Sequence, residues 1–226
     1  MRVKNREVIA LKKKLKKSKI KGLALDVDDT LSLTFEHLVD ELSKKIKNPE
    51  KLTKKELFLK YRSTWNVPVW RNDEAEEIVR KIITSDELQR DLPLIENSNK
   101  LVAKIDKIIP IVAYITARPN KIRNGTEYWF KKHDFIKASL IMRFRNKRKG
   151  RSNRWKARVL KYLYPEVQGI VDDNVGLVRA LGGRYKGKVF IYNGANCNKN
   201  YNYVTLCKDW DDVLEKVKKE FNGDRD

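Results

Sequence analysis

The chain alternates short apolar runs with stretches of helical spacing, and this alternation predicts its architecture. Near-continuous apolar strands that alternate with helices are typical of a parallel sheet covered on both faces. We therefore predict an α/β fold with a Rossmann-like parallel sheet flanked by helices. The apolar runs are 23–27 (LALDV), 111–115 (IVAYI), 139–142 (SLIM), 168–171 (QGIV), 188–192 (KVFIY) and 203–206 (YVTL), and the helical stretches between and after the later runs are 120–133, 153–163, 174–182 and 209–221.

Residues 32–106 interrupt this rhythm and predict a helical insertion after the first strand. Phe35, Leu38, Val39 and Leu42 recur at helical spacing, and DEAEEIVRKIITSDEL further along is also typical of a helix, whereas no clear strand pattern occurs in the interval. The sequence therefore divides into a core of residues 1–31 and 107–226 and an insertion of residues 32–106.

Composition indicates a globular protein. At 226 residues and 41% hydrophobic content, the chain is long enough to bury a core. No window approaches the roughly 18 apolar residues of a membrane span, and residues 1–22 lack the apolar centre of a signal peptide. Cys197 and Cys207 form neither a disulfide framework nor a metal-site pattern, so we expect free thiols. We therefore expect a soluble, cytoplasmic protein that does not bind membranes.

The formal net charge of +21 is concentrated in two segments. Residues 1–22 carry ten Lys and Arg against Glu7 alone, and residues 137–158 carry ten Lys and Arg and no acid, so the two segments hold 19 of the 21 charges. Such segments suit an anionic partner, such as a phosphate ester or nucleic acid. The alternative is a solvated basic tail and a solvated basic loop.

The first predicted strand ends in a group of carboxylates, GLALDVDDTLSLT. On an extended chain Asp26 and Asp28 share a face, so both side chains converge where the strand gives way to a loop. Two ionised carboxylates this close repel each other, and a hard cation is the usual way to hold both charged. The pattern predicts a Mg²⁺ site, although Asp and Thr are also common in turns.

Polar side chains at three other places complete a candidate site. Thr116 and Arg118 follow an apolar strand, Asp172 and Asp173 follow another, and Lys156 lies on the helix before that second strand. Residues that follow parallel strands meet at one edge of the sheet, where ligands bind. A carboxylate nucleophile, an acid/base, phosphate-binding groups and metal ligands together form a site for phosphoryl transfer.

These motifs resemble the haloacid dehalogenase (HAD) superfamily of phosphohydrolases over residues 23–31 and roughly 108–192. The family has an apolar strand with DxDx[TV], a strand ending in Ser or Thr, a Lys, and a strand ending in paired acids. The resemblance implies an aspartyl-phosphate mechanism with the catalytic residues Asp26 (nucleophile), Asp28 (acid/base), Thr116 and Lys156, and with Mg²⁺ held by Asp26, the Asp28 backbone, Asp172 and Asp173, either of the last two making the direct contact.

The resemblance also implies a role for the insertion, and the chain departs from the family pattern at one position. In the family such an insertion is a cap that selects the substrate, and Tyr61, Trp65 and Trp70 would either stack on a base or sugar or seat the cap on the core. Asp29 stands where phosphatases of the family often have Gly, which crowds the turn with another charge.

The segment TARPNKIRNGTEYWFKKHDF and the residues that follow it resemble polynucleotide 3′-phosphatase domains. In that comparison Arg118 and Arg123 would bind substrate. Similar Arg-bearing stretches also occur in small-molecule phosphatases of the superfamily. A basic loop would border the site through Arg143, Arg145, Lys147, Arg148, Lys149 and Arg151.

The leading hypothesis is a Mg²⁺-dependent phosphomonoester hydrolase that acts on a small phosphorylated metabolite or nucleotide. The alternatives are a polynucleotide end (3′-)phosphatase, and a non-catalytic nucleic-acid-binding protein that uses segments 1–22 and 137–158. His37 and His133 have no partner signal, and we predict no catalytic role for them.

Overall fold

A computed structural model describes residues 5–47, 50–143, 152–194 and 201–222. Every predicted apolar run forms a strand, and all six strands join one parallel sheet. The predicted α/β architecture is confirmed. The strands are β1 (Gly22–Leu25), β2 (Ile111–Pro119), β3 (Ser139–Arg143), β4 (Val167–Asp172), β5 (Lys188–Tyr192) and β6 (Val204–Cys207).

Ten α-helices lie in the described part of the chain, together with three short 3₁₀ turns. The four helices predicted for the later part of the sequence are all present. The helices are α1 (Arg6–Ser18), α2 (Thr34–Ser43), α3 (Lys54–Tyr61), α4 (Asp73–Thr84), α5 (Asp86–Gln89), α6 (Ser98–Asp106), α7 (Arg123–Lys132), α8 (Ser152–Leu163), α9 (Val175–Leu181) and α10 (Trp210–Asn222).

The strand order is β3-β2-β1-β4-β5-β6, so β1 lies in the middle of the sheet. All four residues of β1 are buried, because helices cover both faces. α1, α8 and α9 pack on one face, whereas α6, α7 and α10 pack on the other. The carboxyl ends of β1, β2 and β4 therefore meet at a single edge of the sheet.

The predicted insertion divides into two parts. Apolar residues from Phe35 to Leu88, on α2 to α5, form a separate hydrophobic cluster. Leu92 and α6, by contrast, pack with the sheet, because Leu101, Val102 and Ile105 face the same core as β1 and β2. The helical unit that stands apart from the sheet therefore ends near residue 90 and not at the predicted boundary of 106.

The basic N-terminal segment contains a helix that packs on the sheet. Val8, Leu11 and Leu15 recur at spacings of three and four, and all three are buried against the core. Asn5 caps the first turn of α1 by accepting a hydrogen bond from the Glu7 amide. Most of the segment is therefore an amphipathic helix, and it does not form the solvated tail that was one interpretation of its charge.

The structure also bears on the predictions about membrane spans, cysteines and the basic loop. None of the helices in the described residues combines the length and the apolar character needed to cross a bilayer. Cys207 is a buried free thiol, as predicted, whereas Cys197 lies outside the described residues. The basic loop between Arg143 and Ser152, which contains most of the cations predicted to border the site, also lies outside them.

Candidate active site

The predicted nucleophile lies at the carboxyl edge of the sheet. Asp26 directly follows β1, and its amide donates a hydrogen bond to the Val171 carbonyl at 2.9 Å, which continues the ladder between β1 and β4. The ladder brings Asp26 beside Asp172, the last residue of β4. Both carboxylates are buried, with 6% and 0% of the residue exposed. The central pair of strands thus holds two carboxylates close together.

A buried lysine joins these two carboxylates. The Lys156 ammonium lies 2.7 Å from Asp26 Oδ2 and 2.5 Å from Asp172 Oδ2. Lys156 lies on the buried side of α8, near its N-terminal end, beside Ala157 and Leu160. Burial would lower the pKa of this ammonium, but the two carboxylates outweigh burial and raise it. Lys156 is therefore a fixed cation at the site.

A third carboxylate completes a group that fits a metal ion. One oxygen from each of Asp26, Asp172 and Asp173 lies within 4.8 Å of the others. Burial raises the pKa of Asp26 to about 7 and that of Asp173 well above its usual range, even with Lys156 nearby. The single ammonium leaves these buried carboxylates short of positive charge, and a hard divalent cation prefers such oxygen ligands. The residues present therefore fit Mg²⁺.

The two adjacent acids after β4 differ in their contacts. Asp172 has partners for both oxygens, because Oδ1 accepts the Asn174 amide at 2.9 Å and Oδ2 accepts Lys156. Asp173 has a weak side-chain contact, 3.5 Å from the Thr30 hydroxyl to Oδ1. Of the two carboxylates, Asp173 has the greater freedom to accept a further ligand.

The second acid of the first motif is bound by a buried arginine. Arg118 donates from Nε and Nη2 to Asp28 at 2.8 to 3.2 Å, and its other contacts are the hydroxyls of Ser32 and Thr126. Burial would raise the pKa of Asp28, but the Arg118 guanidinium outweighs burial and holds the pKa below its usual range. Only 4% of Arg118 is exposed. The prediction placed Arg118 on the substrate, whereas the structure places it on Asp28.

The hydroxyl predicted to bind the phosphoryl group lies beside the same acid. Thr116 is fully buried in β2, and its oxygen is 3.5 Å from Asp28 Oδ2. The oxygen also accepts a hydrogen bond from the Arg118 amide at 3.2 Å. The structure thus brings Thr116 and Asp28 together on one side of the site, and Lys156 with its two carboxylates on the other.

The second arginine predicted to bind substrate has a different environment. Arg123, at the start of α7, donates to the Glu7 carboxylate at 2.6 Å and to the Leu140 carbonyl at 3.4 Å. It also contacts Asn120 and Glu127. These bonds tie α7 to α1 and β3, so Arg123 has a packing role, and among the residues that the structure describes it contacts none of the other candidate site residues.

The unusual acid in the first motif links the site loop to the insertion. Asp29 has a φ of 56°, in the left-handed region. Its Oδ1 accepts the Phe35 amide at 2.7 Å in the first turn of α2, where Leu33 provides no side-chain cap. Burial raises the pKa of Asp29 to about 8. The extra carboxyl group that crowds the motif is thus a cap for the first helix of the insertion.

Two contacts that fix the site loop have no signal in the local sequence. The Trp210 indole on α10 donates to the Thr30 carbonyl at 2.9 Å. The Thr30 hydroxyl accepts the Asp173 amide at 3.1 Å. These bonds join residues 180 and 143 positions apart, and neither residue stands in a pattern that predicts its partner.

The insertion contacts the site edge of the sheet. Arg62, just after α3, donates to the Asn193 carbonyl at 3.0 Å, immediately beyond β5. Of the predicted stacking aromatics, Trp70 is 1% exposed within the hydrophobic cluster of the insertion, and Tyr61 donates to Glu50. Trp65 also packs against that cluster. The aromatics therefore support the packing of the insertion.

Comparison with solved structures finds chains that share this architecture at low identity. A HAD hydrolase of family IA, variant 3, from Entamoeba histolytica is 14% identical with a TM-score of 0.50, and the match covers 88% of this chain and 100% of that chain. A dehalogenase is 10% identical with a TM-score of 0.53, and a dehalogenase with an intermediate complex is 9% identical with a TM-score of 0.55. Both matches cover 87% of this chain and 96% of the other. No family model and no curated protein matches the chain.

Proposed function

From the HAD-like fold of this chain and the side chains at its sheet edge, we propose that the protein is a Mg²⁺-dependent phosphomonoester hydrolase. The observation that carries the proposal is the placement of Asp26 between a buried lysine and two further carboxylates. A nucleophilic carboxylate beside a fixed cation and a metal site meets the requirements of phosphoryl transfer, because three phosphoryl oxygens carry negative charge through the reaction.

The proposed reaction has two steps at one carboxylate. Asp26 attacks the phosphorus atom and the bond to the leaving oxygen breaks. Asp28 passes a proton to that oxygen, and because Arg118 favours the ionised form of Asp28, the carboxylate first takes this proton from solvent. Asp28 then removes a proton from a water molecule, which attacks the phosphorus and breaks the aspartyl-phosphate bond. Thr116 donates to a phosphoryl oxygen and Lys156 balances the charge of another.

The contacts of the two adjacent acids support one choice of metal ligands. Asp26 and Asp173 would supply carboxylate oxygens and Asp28 its backbone carbonyl, whereas Asp172, whose two oxygens accept Lys156 and the Asn174 amide, would orient Lys156. Mg²⁺ bound there would neutralise charge on the phosphoryl group.

The insertion supports a small substrate. Arg62 bridges from α3 to the edge of the sheet, which supports a role for α2 to α5 in restricting access from that side. We assign these helices as a cap and expect a phosphorylated metabolite or nucleotide as the substrate.

A polynucleotide end phosphatase is the second candidate. It is favoured by α8, which carries Lys156 on its buried side and Arg154, Arg158 and Lys161 on its exposed side. Nucleic acid lying along that helix would bring its end near the site.

The test is a substrate panel with matched variants. Wild type should hydrolyse an aryl phosphate with Mg²⁺ and lose this activity in excess chelator. Asp26→Asn, which removes the nucleophile at constant shape, should reduce kcat by several orders of magnitude. Asp211→Asn makes the same charge change at an exposed position on α10 and should be silent.

The panel also separates the candidates. Nucleotides and sugar phosphates represent small substrates, 3′- and 5′-phosphorylated oligonucleotides represent polynucleotide ends, and a 2-haloalkanoate represents dehalogenation. Activity that survives in Asp26→Asn, or hydrolysis of the haloalkanoate alone, would contradict the proposed function.

A further inference from the structure

The three helices on one face of the sheet present an exposed surface whose charges are almost all positive. The sequences of α1, α8 and α9 contain a single acid, Glu7, and it is paired with Arg123 at 2.6 Å. We call the exposed cations of these helices the basic face: Arg6, Lys13, Lys14, Lys16, Lys17, Arg154, Arg158, Lys161 and Arg179.

The opposite face shows that this arrangement does not simply follow from a basic composition. There, α6, α7 and α10 mix both signs, and α10 alone carries Asp211, Asp212, Glu215 and Glu220 among its lysines. Two of its charges pair along the helix, Lys216 with Asp212 at 2.7 Å. The positive charge is thus asymmetric across the sheet.

The cations of the basic face are held close together without neutralisation. Lys13 and Lys17 are one helical turn apart, as are Arg154 and Arg158, and like charges at this spacing destabilise a helix. Within the described residues, no carboxylate forms a salt bridge with any of these four side chains. An external polyanion would offset this repulsion.

The shape and chemistry of the face favour one kind of polyanion. α1 alone extends for about 20 Å, and a nucleic-acid duplex carries about one charge per 1.7 Å of its axis. We propose that the basic face binds the phosphate backbone of a nucleic-acid duplex without reading its sequence.

Two other partners fit less well. A membrane-binding helix needs a free apolar face, but Val8, Leu11 and Leu15 of α1 are already buried in the core. A single strand is usually held by exposed aromatic rings. Among the described residues, the large apolar side chains that are clearly exposed are Ile20, Leu59, Tyr128 and Leu206, and none of them lies on α1, α8 or α9.

The first experiment measures binding of the full chain to a fluorescent, mixed-sequence DNA duplex of about 20 base pairs by anisotropy across a salt series. Backbone contacts predict that the logarithm of affinity falls linearly with the logarithm of salt, by about 0.9 per phosphate contacted. We expect a slope of about −4 or steeper. A slope near zero would overturn the proposal.

A matched pair of variants tests whether the duplex binds the basic face. Each variant removes four positive charges from exposed helix positions, one on the basic face and the other on the opposite face. The basic-face variant should weaken duplex binding by about tenfold or more at 0.1 M salt and flatten the slope, whereas the control should bind within about twofold of wild type. Equal losses in both would show that only net charge matters and would overturn the proposal. The basic-face variant is Lys13→Gln, Lys17→Gln, Arg158→Gln and Lys161→Gln, and the control is Lys104→Gln, Lys131→Gln, Lys218→Gln and Lys219→Gln.

Competition experiments distinguish binding of a duplex from binding of a membrane or a single strand. Vesicles containing phosphatidylserine, or a single strand of the same length, should compete weakly, and tighter binding of either would overturn the assignment. Circular dichroism of both variants checks that the fold is retained.

This inference does not depend on the proposed hydrolase activity. Asp26→Asn should bind the duplex as wild type does, because Asp26 is buried at the sheet edge and contributes nothing to the basic face. Loss of duplex binding in Asp26→Asn would contradict the separation of the two surfaces, whereas failure of the substrate panel would leave the binding result intact.

Discussion

Replacing Lys156 by Met tests whether this lysine is what allows two carboxylates to be buried together. The substitution keeps an unbranched side chain of similar length and a good helix former, so α8 should persist. It removes the ammonium that lies 2.7 Å from Asp26 and 2.5 Å from Asp172. Both carboxylates then stay buried without their cation, and the pKa of Asp26, already raised to about 7, should rise further.

The expected loss of stability in Lys156→Met follows from the burial of Lys156, Asp26 and Asp172. Removing one partner of a buried ion pair costs about 3–5 kcal/mol of unfolding free energy. For a chain of 226 residues, an unfolding entropy of about 0.5 kcal/mol/K converts that loss into a fall in Tm of about 6–10 °C. The loss should be largest near pH 8 and smaller near pH 5, because protonation of Asp26 relieves the unpaired charge.

The assay is thermal unfolding of wild type, Lys156→Met and Lys161→Met in chelator at pH 5 and pH 8. Lys161 is an exposed lysine of the same helix, so its variant controls for the loss of one charge and for the change to Met. We expect Lys161→Met to change stability by less than about 0.5 kcal/mol. If both variants lower Tm equally, or if Lys156→Met is most destabilised at pH 5, the reasoning is refuted.

Three further predictions concern the same edge of the sheet. Because burial raises the pKa values of Asp26 and Asp29, the folded state holds more protons than the unfolded state between about pH 4 and 8. Tm in chelator should therefore fall from pH 5 to pH 8 and Mg²⁺ should restore it most at pH 8; a rise with pH would contradict this. Arg118→Lys should lower kcat on alkyl phosphates with little change in KM, because Arg118 contacts Asp28; a large rise in KM alone would indicate direct substrate binding. Gly125→Ala should destabilise the fold by about 1–3 kcal/mol in urea unfolding, because its Cβ would lie 1.8 Å from an α5 carbonyl oxygen; unchanged stability would show that the insertion shifts freely on α7.

The strands and the position of the site could be predicted because each depends on local pattern. Apolar runs identify the strands, and the parallel arrangement then brings Asp26, Thr116 and Asp172, each at the end of an apolar run, to one edge of the sheet. No long-range information is needed for that step.

The contacts within the site could not be predicted, because they depend on pairing between distant residues. Nothing near Arg118 in the sequence indicates that it is buried against Asp28, 90 positions earlier. Similarly, helical spacing shows that α6 has an apolar face, but it cannot show that Leu101 and Val102 pack on the sheet and not within the insertion. The packing of α1 on the sheet could not be predicted either, because the lysines of this helix outnumber the three buried apolar residues that contact the core.

The bond from Trp210 to the Thr30 carbonyl has a consequence for synthesis of the chain on the ribosome. After Asp26 has been synthesised, β1 can pair with β2 once residues 111–119 have followed, but it acquires its other neighbour β4 only after residues 167–172, and α10 reaches the loop later still. Closing contacts of such sequence separation slows folding. The nascent chain therefore carries Asp26 and Asp28 beside an incomplete sheet until β4 has been synthesised, and the arrangement of the candidate site forms among the last steps of folding.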